Sequence, residues 1–308
     1  MEHLIRSLTM EDLPYLEAME TGIEDDYVKR IFKRLVTAEG NRLYGLFLGD
    51  QLASVCGYTI FADRYAMLGR IRSDVRFRGN DLATQLTVYV RDEAFKIPNI
   101  HWVGANTQEE NTAARRVLEK TGFSEYLPLY GATTKDVSKF EANTSPWAEV
   151  HDLERKKAWI DRLYIQTGNI FPYECYYLFP ASAELFSDEK LAEWAFYENE
   201  AKDRVLITKK DFKKYDYLQA IYPWNDFMEQ KGLWETITAD YKTVVSEAEE
   251  DAYIWMDLTK EQAQSLPEGH GFKLPSPWVL YGVWRKERAA KDPEFAASTP
   301  LCKTKNKS

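Results

Sequence analysis

The sequence predicts an α/β protein built on a mixed sheet (an α+β arrangement of parallel and antiparallel strands), with a second α/β domain after it. Three observations carry this. Apolar alternation of period two and apolar stripes of period near 3.6 follow one another along residues 1–137. The elements they mark run β-α-α-β-β-β-α-β-α-β, and its two βα units point to neighbouring parallel strands. Beyond a polar, proline-containing stretch, further strand-like and helical runs begin near residue 151.

Each element has its own cause. "HLIRSL" alternates as a strand does, and Thr9 with Asp12 three residues on marks a helix start in "TMEDLPYLEAME". "EDDYVKRIFKRLVTA" sets Tyr27, Ile31, Phe32 and Leu35 on one stripe, a second helix that Gly40 ends. "NRLYGLFLGDQLASVCGYTIF" reads as two strands around a Gly49-Asp50 turn, and "MLGRIRSDV" as a third. "DLATQLTVYVRDEAF" is a helix with Leu82, Leu86, Val90 and Phe95 at helical spacing. "HWVGANT" is a strand, "EENTAARRVLEKTGF" a helix closed by Gly122, and "FSEYLPLYGATT" a final strand or pair. The expected boundaries are a first domain over 1–138, a linker over 139–150, a mixed α/β domain over 151–286 and a disordered tail over 287–308. In the second domain "LERKKAWIDRLYIQTG" and "SDEKLAEWAFYENEAK" read as helices. "YECYYLFP", "RVLITKK", "YLQAIYP", "AYIWMDL" and "WVLYGVW" read as strands.

Composition narrows the function classes. With 44% hydrophobic and 29% charged residues the profile is that of a soluble globular protein. Net charge is −9, and residues from 141 onward hold 22 Lys and Arg against 29 Asp and Glu, so no basic stripe exists to grip a phosphate backbone and nucleic acid is not expected as a partner. Cys56, Cys175 and Cys302, like His3, His151 and His270, lack metal-ligand spacing, so no metal is expected. Cys56 reads as a buried structural thiol. No apolar run reaches the ~18 residues of a membrane span and "MEHLIRSLTMEDL" has no signal-like core, so no membrane partner and a cytoplasmic location are expected.

The chemistry concentrates in "RIRSDVRFRGNDLATQL", where a strand passes through Arg-Phe-Arg-Gly into a helix. The first turn of a helix leaves backbone N–H groups unpaired and carries partial positive charge. A glycine there admits a ligand close to the main chain, so such a turn cradles phosphate, and Arg76 and Arg78 add charge to it. Downstream, "NTAARRVLEKTGF" puts Asn111 at a second helix start after a strand. Two such βα units argue for splayed parallel strands with a ligand at their carboxyl ends.

These stretches resemble two signatures of the GNAT superfamily of N-acetyltransferases. "RFRGNDLATQL" is similar to its Gln/Arg-x-x-Gly-x-Gly/Ala motif and "NTAARRVLEKTGF" to its second motif, over residues 1–137. The resemblance implies an acetyl-CoA-dependent N-acetyltransferase of that fold. Amine attack on the thioester would be direct, in a ternary complex, with acetyl-CoA as co-substrate. It implies that Arg76 and Gly79 take the motif places and that amides across Arg78, Gly79, Asn80, Asp81, Leu82 and Ala83 hold the pyrophosphate. It further implies that the strand around Ser73, Asp74 and Val75 pairs with pantetheine, a backbone N–H near Ser73 meets the oxyanion, and Asn111 bonds the pantetheine arm or nearby backbone. Two departures stand out: Asp81 occupies the second glycine's place, and Leu118 stands where many relatives carry a tyrosine acid. Candidates for the base are then Asp63, His101 and Glu109, and for the acid Tyr126 and Tyr130. Arg72 points either into the acceptor cleft or to solvent, or forms a structural ion pair with Asp74 or Glu93.

The expected acceptor is a small-molecule amine or an amino acid. The alternatives are a non-catalytic acyl-CoA-binding module, which Asp81 and Leu118 would suit, and a protein or peptide N-acetyltransferase. The second domain reads either as a degenerate copy of the same fold, from "GHGFKLPSPWVLYGVWRK", or as an unrelated cap completing the acceptor site. Its tryptophans and tyrosines read mostly as core, with one or two lining an acceptor pocket.

Overall fold

The computed structural model describes residues 3–291 and residue 295. In chain order it forms β1 (His3–Ser7), α1 (Leu13–Glu17), α2 (Tyr27–Arg30), α3 (Phe32–Thr37), β2 (Asn41–Leu48), β3 (Gln51–Phe61), β4 (Tyr65–Ser73), α4 (Leu82–Lys96), β5 (Trp102–Gln108), α5 (Thr112–Lys120), β6 (Ser124–Glu125) and β7 (Tyr130–Thr134). It continues with β8 (Ala148–Glu149), α6 (Leu153–Ile160), β9 (Ile170–Glu174), β10 (Tyr177–Pro180), α7 (Asp188–Glu193), β11 (Ala195–Glu198), β12 (Val205–Phe212), β13 (Asp216–Ile221), α8 (Leu233–Glu247), β14 (Ala252–Leu258), α9 (Lys260–Ser265), β15 (Trp278–Trp284) and α10 (Arg285–Lys291).

The chain divides into two compact units at places other than the expected boundaries. Among the described residues, unit 1 holds those up to Thr107, Asn111–Tyr126 and residues 280–291; unit 2 holds Gln108–Glu110 and Leu127–Val279. Strand pairing is the reason. Unit 1 carries a seven-stranded sheet in the order β1-β2-β3-β4-β5-β15-β6, so a strand from far along the sequence completes it. Unit 2 carries a six-stranded sheet in the order β7-β14-β13-β12-β11-β8, so Tyr130–Thr134 belongs there.

In unit 1, α1–α3 pack Leu16, Val28, Phe32 and Leu35 on Leu43, Phe47, Leu52 and Val55 of β2 and β3. The stripe expected of one helix is interrupted: Ile31, with φ −100° and ψ 10°, separates α2 from α3, and Tyr27 faces outward at 44% exposure. In α4 the expected Leu82, Leu86, Val90 and Phe95 are all buried. Cys56 is fully buried, and burial pushes its thiol up to about 12.

In unit 2 the segment expected as a linker is part of the fold. Trp147 is buried in the main core with Phe140 packed against that core, and Ala148–Glu149 forms the edge strand β8. The run expected as a helix over 187–202 stops after α7, because Ala195–Glu198 pairs antiparallel with Val205–Thr208. Of the expected tail, Glu287–Lys291 is helical and Arg288 pairs with Asp92 at 3.0 Å; the remainder, with Cys302, lies outside the described residues apart from residue 295. No helix among the described residues is long and apolar enough to cross a membrane.

Candidate active site

The notch in unit 1 comes from register. The parallel pair β4/β5 matches Tyr65 with Trp102 through Leu68 with Ala105 and then parts, so both carboxyl ends run on without each other. A bulge helps to part them: Val55 faces Arg72 and Gly57 faces Gly69, leaving Arg70 and Ile71 opposite the single residue Cys56. Arg70 takes φ +57°, and a bulge of this kind bends and twists its strand.

Beyond Ser73 the chain is fixed by a buried carboxylate. Asp74 accepts from the Glu20 amide at 3.0 Å, the Arg76 amide at 2.9 Å and the Arg76 guanidinium at 2.9 and 2.6 Å. The Arg76 guanidinium, opposed by burial and helped by those amides, holds the Asp74 carboxyl down to about 2. Asp74 and Arg76 therefore fasten the turn rather than facing a ligand. The Val75 amide is likewise spent, on Glu20 O at 2.8 Å. Arg78 donates to Thr21 O at 2.7 Å, and Asn80 to Phe77 O at 3.1 Å.

Past this fastened turn the backbone presents a row of open donors. From Gly79 to Thr84 no backbone N–H meets an acceptor among the described residues; the next, Gln85, donates to Asp81 O. Gly79 has φ +84°, and the space where its Cβ would stand is empty to 4 Å. Asp81 turns its carboxylate away from this row, accepting from Lys120 Nζ at 2.8 Å and Thr84 Oγ1 at 2.9 Å. That pairing answers the charge conflict the sequence posed, and Lys120 holds the carboxyl below its usual range. An array of this kind fits a diphosphate.

Arg72 takes neither partner the sequence offered. It grips Asp26 in a bidentate pair at 2.8 and 2.9 Å, lies 5.3 Å over the Tyr27 ring, and so ties the start of α2 to β4. Only the structure could reveal that pair, since 46 residues separate its members. Asn111 caps α5, accepting from the Ala114 amide at 3.1 Å. Leu118 is 1% exposed.

The acid–base candidates are not brought together. Asp63 sits on the β3–β4 hairpin tip and His101 just before β5, both at the amino ends of the parallel pair. The length of β4, about 26 Å at ~3.3 Å per residue, separates that tip from Ser73. The Tyr126 phenol lies against Trp102 at the start of β5, and burial pushes it up. Tyr130 opens β7 in unit 2 and packs on that unit's core. Glu109 alone comes after the carboxyl end of β5, paired with Lys260 at 2.6 Å. Among the described residues no group of His, Cys, Asp or Glu is placed to hold a metal.

Comparison with known proteins agrees with this geometry. The acetyltransferase (GNAT) domain family model matches residues 8–124. A GCN5-related N-acetyltransferase structure from Sphaerobacter thermophilus shares 12% identity, covers 92% of this chain and 95% of its own, and superposes with TM-score 0.56. The ribosomal-protein-S18-alanine N-acetyltransferase of Escherichia coli shares 20% identity over 47% of this chain and 84% of its own, with TM-score 0.37. No curated protein matches. Residues 8–124 thus match a GNAT acetyltransferase domain, and the Sphaerobacter structure shares the fold along most of the chain. Enzymes of that family use acetyl-CoA.

Proposed function

We propose that this chain is an acetyl-CoA-dependent N-acetyltransferase that moves an acetyl group to the amine of a small molecule or amino acid. The observation that supports it is the parted β4/β5 pair with unspent amides from Gly79 to Thr84 beside it. Those amides, with the α4 dipole, hold the pyrophosphate; Ser73 and the bulged stretch of β4 lie along the acyl arm. Asp74, Arg76 and Asp26–Arg72 keep that backbone in place, so the reacting groups meet without reorganisation. The amine nitrogen bonds the thioester carbon as the C–S bond breaks; with Leu118 buried where a tyrosine acid would stand, water takes the proton the amine gives up and supplies the one the departing thiolate gains.

Gly79→Asn tests this directly. Asn tolerates positive φ, so the fold should survive with a stability loss of about 1 kcal/mol or less. Its side chain intrudes on the amide row, so KM for acetyl-CoA should rise at least about tenfold, a loss of ~1.4 kcal/mol. An unchanged KM with normal thiol release would remove the diphosphate assignment.

We also infer that unit 2 repeats the plan of unit 1 in a silent form. Its parallel pair β13/β14 matches Asp216 with Ala252 through Gln219 with Trp255, then parts, and α8 joins the two strands as α4 joins β4 and β5. The start of α8 is plugged by the chain itself. A Cβ on Gly232 would meet Ser145 O at 2.6 Å, Trp147 Nε1 donates to Lys231 O at 2.7 Å, and Glu235 accepts the Ala142 and Thr144 amides. Titration calorimetry should accordingly find one acetyl-CoA per chain; two equivalent sites would sink the idea.

A further inference from the structure

Unit 2 holds a second feature that acetyl transfer does not explain. A cavity of about 360 Å³ is walled by Tyr176, Tyr215, Tyr217, Tyr253, Trp255 and Trp278. Ligand sites commonly begin near this size and combine aromatic walls with a few polar groups.

The walls are built rather than incidental. Tyr176 takes φ +72°, a left-handed conformation unfavourable for a non-glycine residue, and this turn sets its ring 4.5 Å from Trp255 and 5.9 Å from Trp278. Gly131 lines the cavity too, and any Cβ there would collide with the Trp255 indole. Tyr217 stands 5.7 Å from Trp255, edge to face, and Tyr215 5.2 Å from Tyr253. The rings thus brace one another around an opening.

Charge selects the occupant. No carboxylate lines the cavity; its polar groups are Gln108, Thr133 and Lys273. Lys273 is exposed and makes no salt bridge within 4.0 Å among the described residues. Two other ammonium groups already lie over wall rings, Lys135 on Tyr253 at 4.9 Å and Lys214 on Tyr215 at 5.1 Å. Asp251 offsets Lys135 at 2.7 Å, so Lys214 and Lys273 set the sign of the rim, and a flat ring bearing a carboxylate would stack on the walls and pair with Lys273. We infer that this cavity is a binding site for an aromatic carboxylate.

The test uses the full chain without acetyl-CoA, so failure of the transferase reading leaves it intact. Phenylacetate is titrated by calorimetry and ligand-observed NMR, with phenethylamine and acetate as comparison probes. Phenylacetate should saturate one site, Lys273→Gln should weaken it about tenfold, and Lys273→Arg should restore it. Tyr176→Gly, which adopts positive φ freely, should still fold, with a lower melting temperature from the lost ring packing, while losing phenylacetate; Lys273→Gln, at an exposed position, should leave the melting temperature unchanged. The inference is overturned if phenethylamine binds as well as phenylacetate, if Lys273→Gln changes nothing, or if no saturation occurs at millimolar probe.

Discussion

Asp74 shows how one side chain can serve the site without touching a ligand. It is fully buried and gathers two amides and a guanidinium, so its carboxyl titrates near 2 rather than near 4. A carboxyl whose pKa is lowered by folding adds stability above its unfolded value, and that contribution disappears as pH falls from about 4 through about 2. Asp74→Asn should therefore lower stability by about 2 kcal/mol at pH 7 in urea denaturation, and the gap should close near pH 2. A gap that persisted undiminished in acid would mean the carboxylate's charge is not what matters. At this scale the sequence was only half legible. Gly79, whose positive φ comes from its place in the turn, could be read from its neighbours. Asp74 could not, because an acid next to a ligand motif looks like a ligand contact until the Glu20 amide is seen to point at it.

Among the elements, α4 and α5 were readable because their cause is local: apolar spacing, an Asn111 cap and Gly122 at φ +82° beyond the last turn of α5. α5 also fixes a prediction. Leu118→Tyr would restore the residue many relatives use as an acid, yet position 118 is buried. Overpacking should cost about 1–3 kcal/mol, read as a lower melting temperature, with no gain in kcat. A faster enzyme would show that the phenol reaches the notch after all. The elements that misled are those decided by tertiary pairing. Ala195–Glu198 continues a helical pattern but becomes a strand because Val205–Thr208 offers it a ladder. The polar stretch around Thr144 looks like a linker until Trp147 is found in the core.

For the whole molecule, the fold class was legible, since two βα units and their motifs suffice to define it, and the GNAT match to residues 8–124 agrees. Domain boundaries were not, because no local signal says which sheet a strand joins. Tyr130–Thr134 and Trp278–Trp284 carry ordinary strand patterns, and only hydrogen bonding reveals that each joins the sheet on the other side of the expected boundary.

That arrangement bears on biosynthesis. β15 enters between β5 and β6, bringing Val279, Leu280, Tyr281 and Val283, all buried. A ribosome that has released residues 1–126 has not yet supplied this strand, so a nascent sheet waits with a slot open through the synthesis of residues 127–277. A fragment ending at residue 137 should aggregate, and a permuted gene encoding residues 278–291 directly after β6 should yield soluble protein that binds acetyl-CoA, both readable by sedimentation of cell extracts.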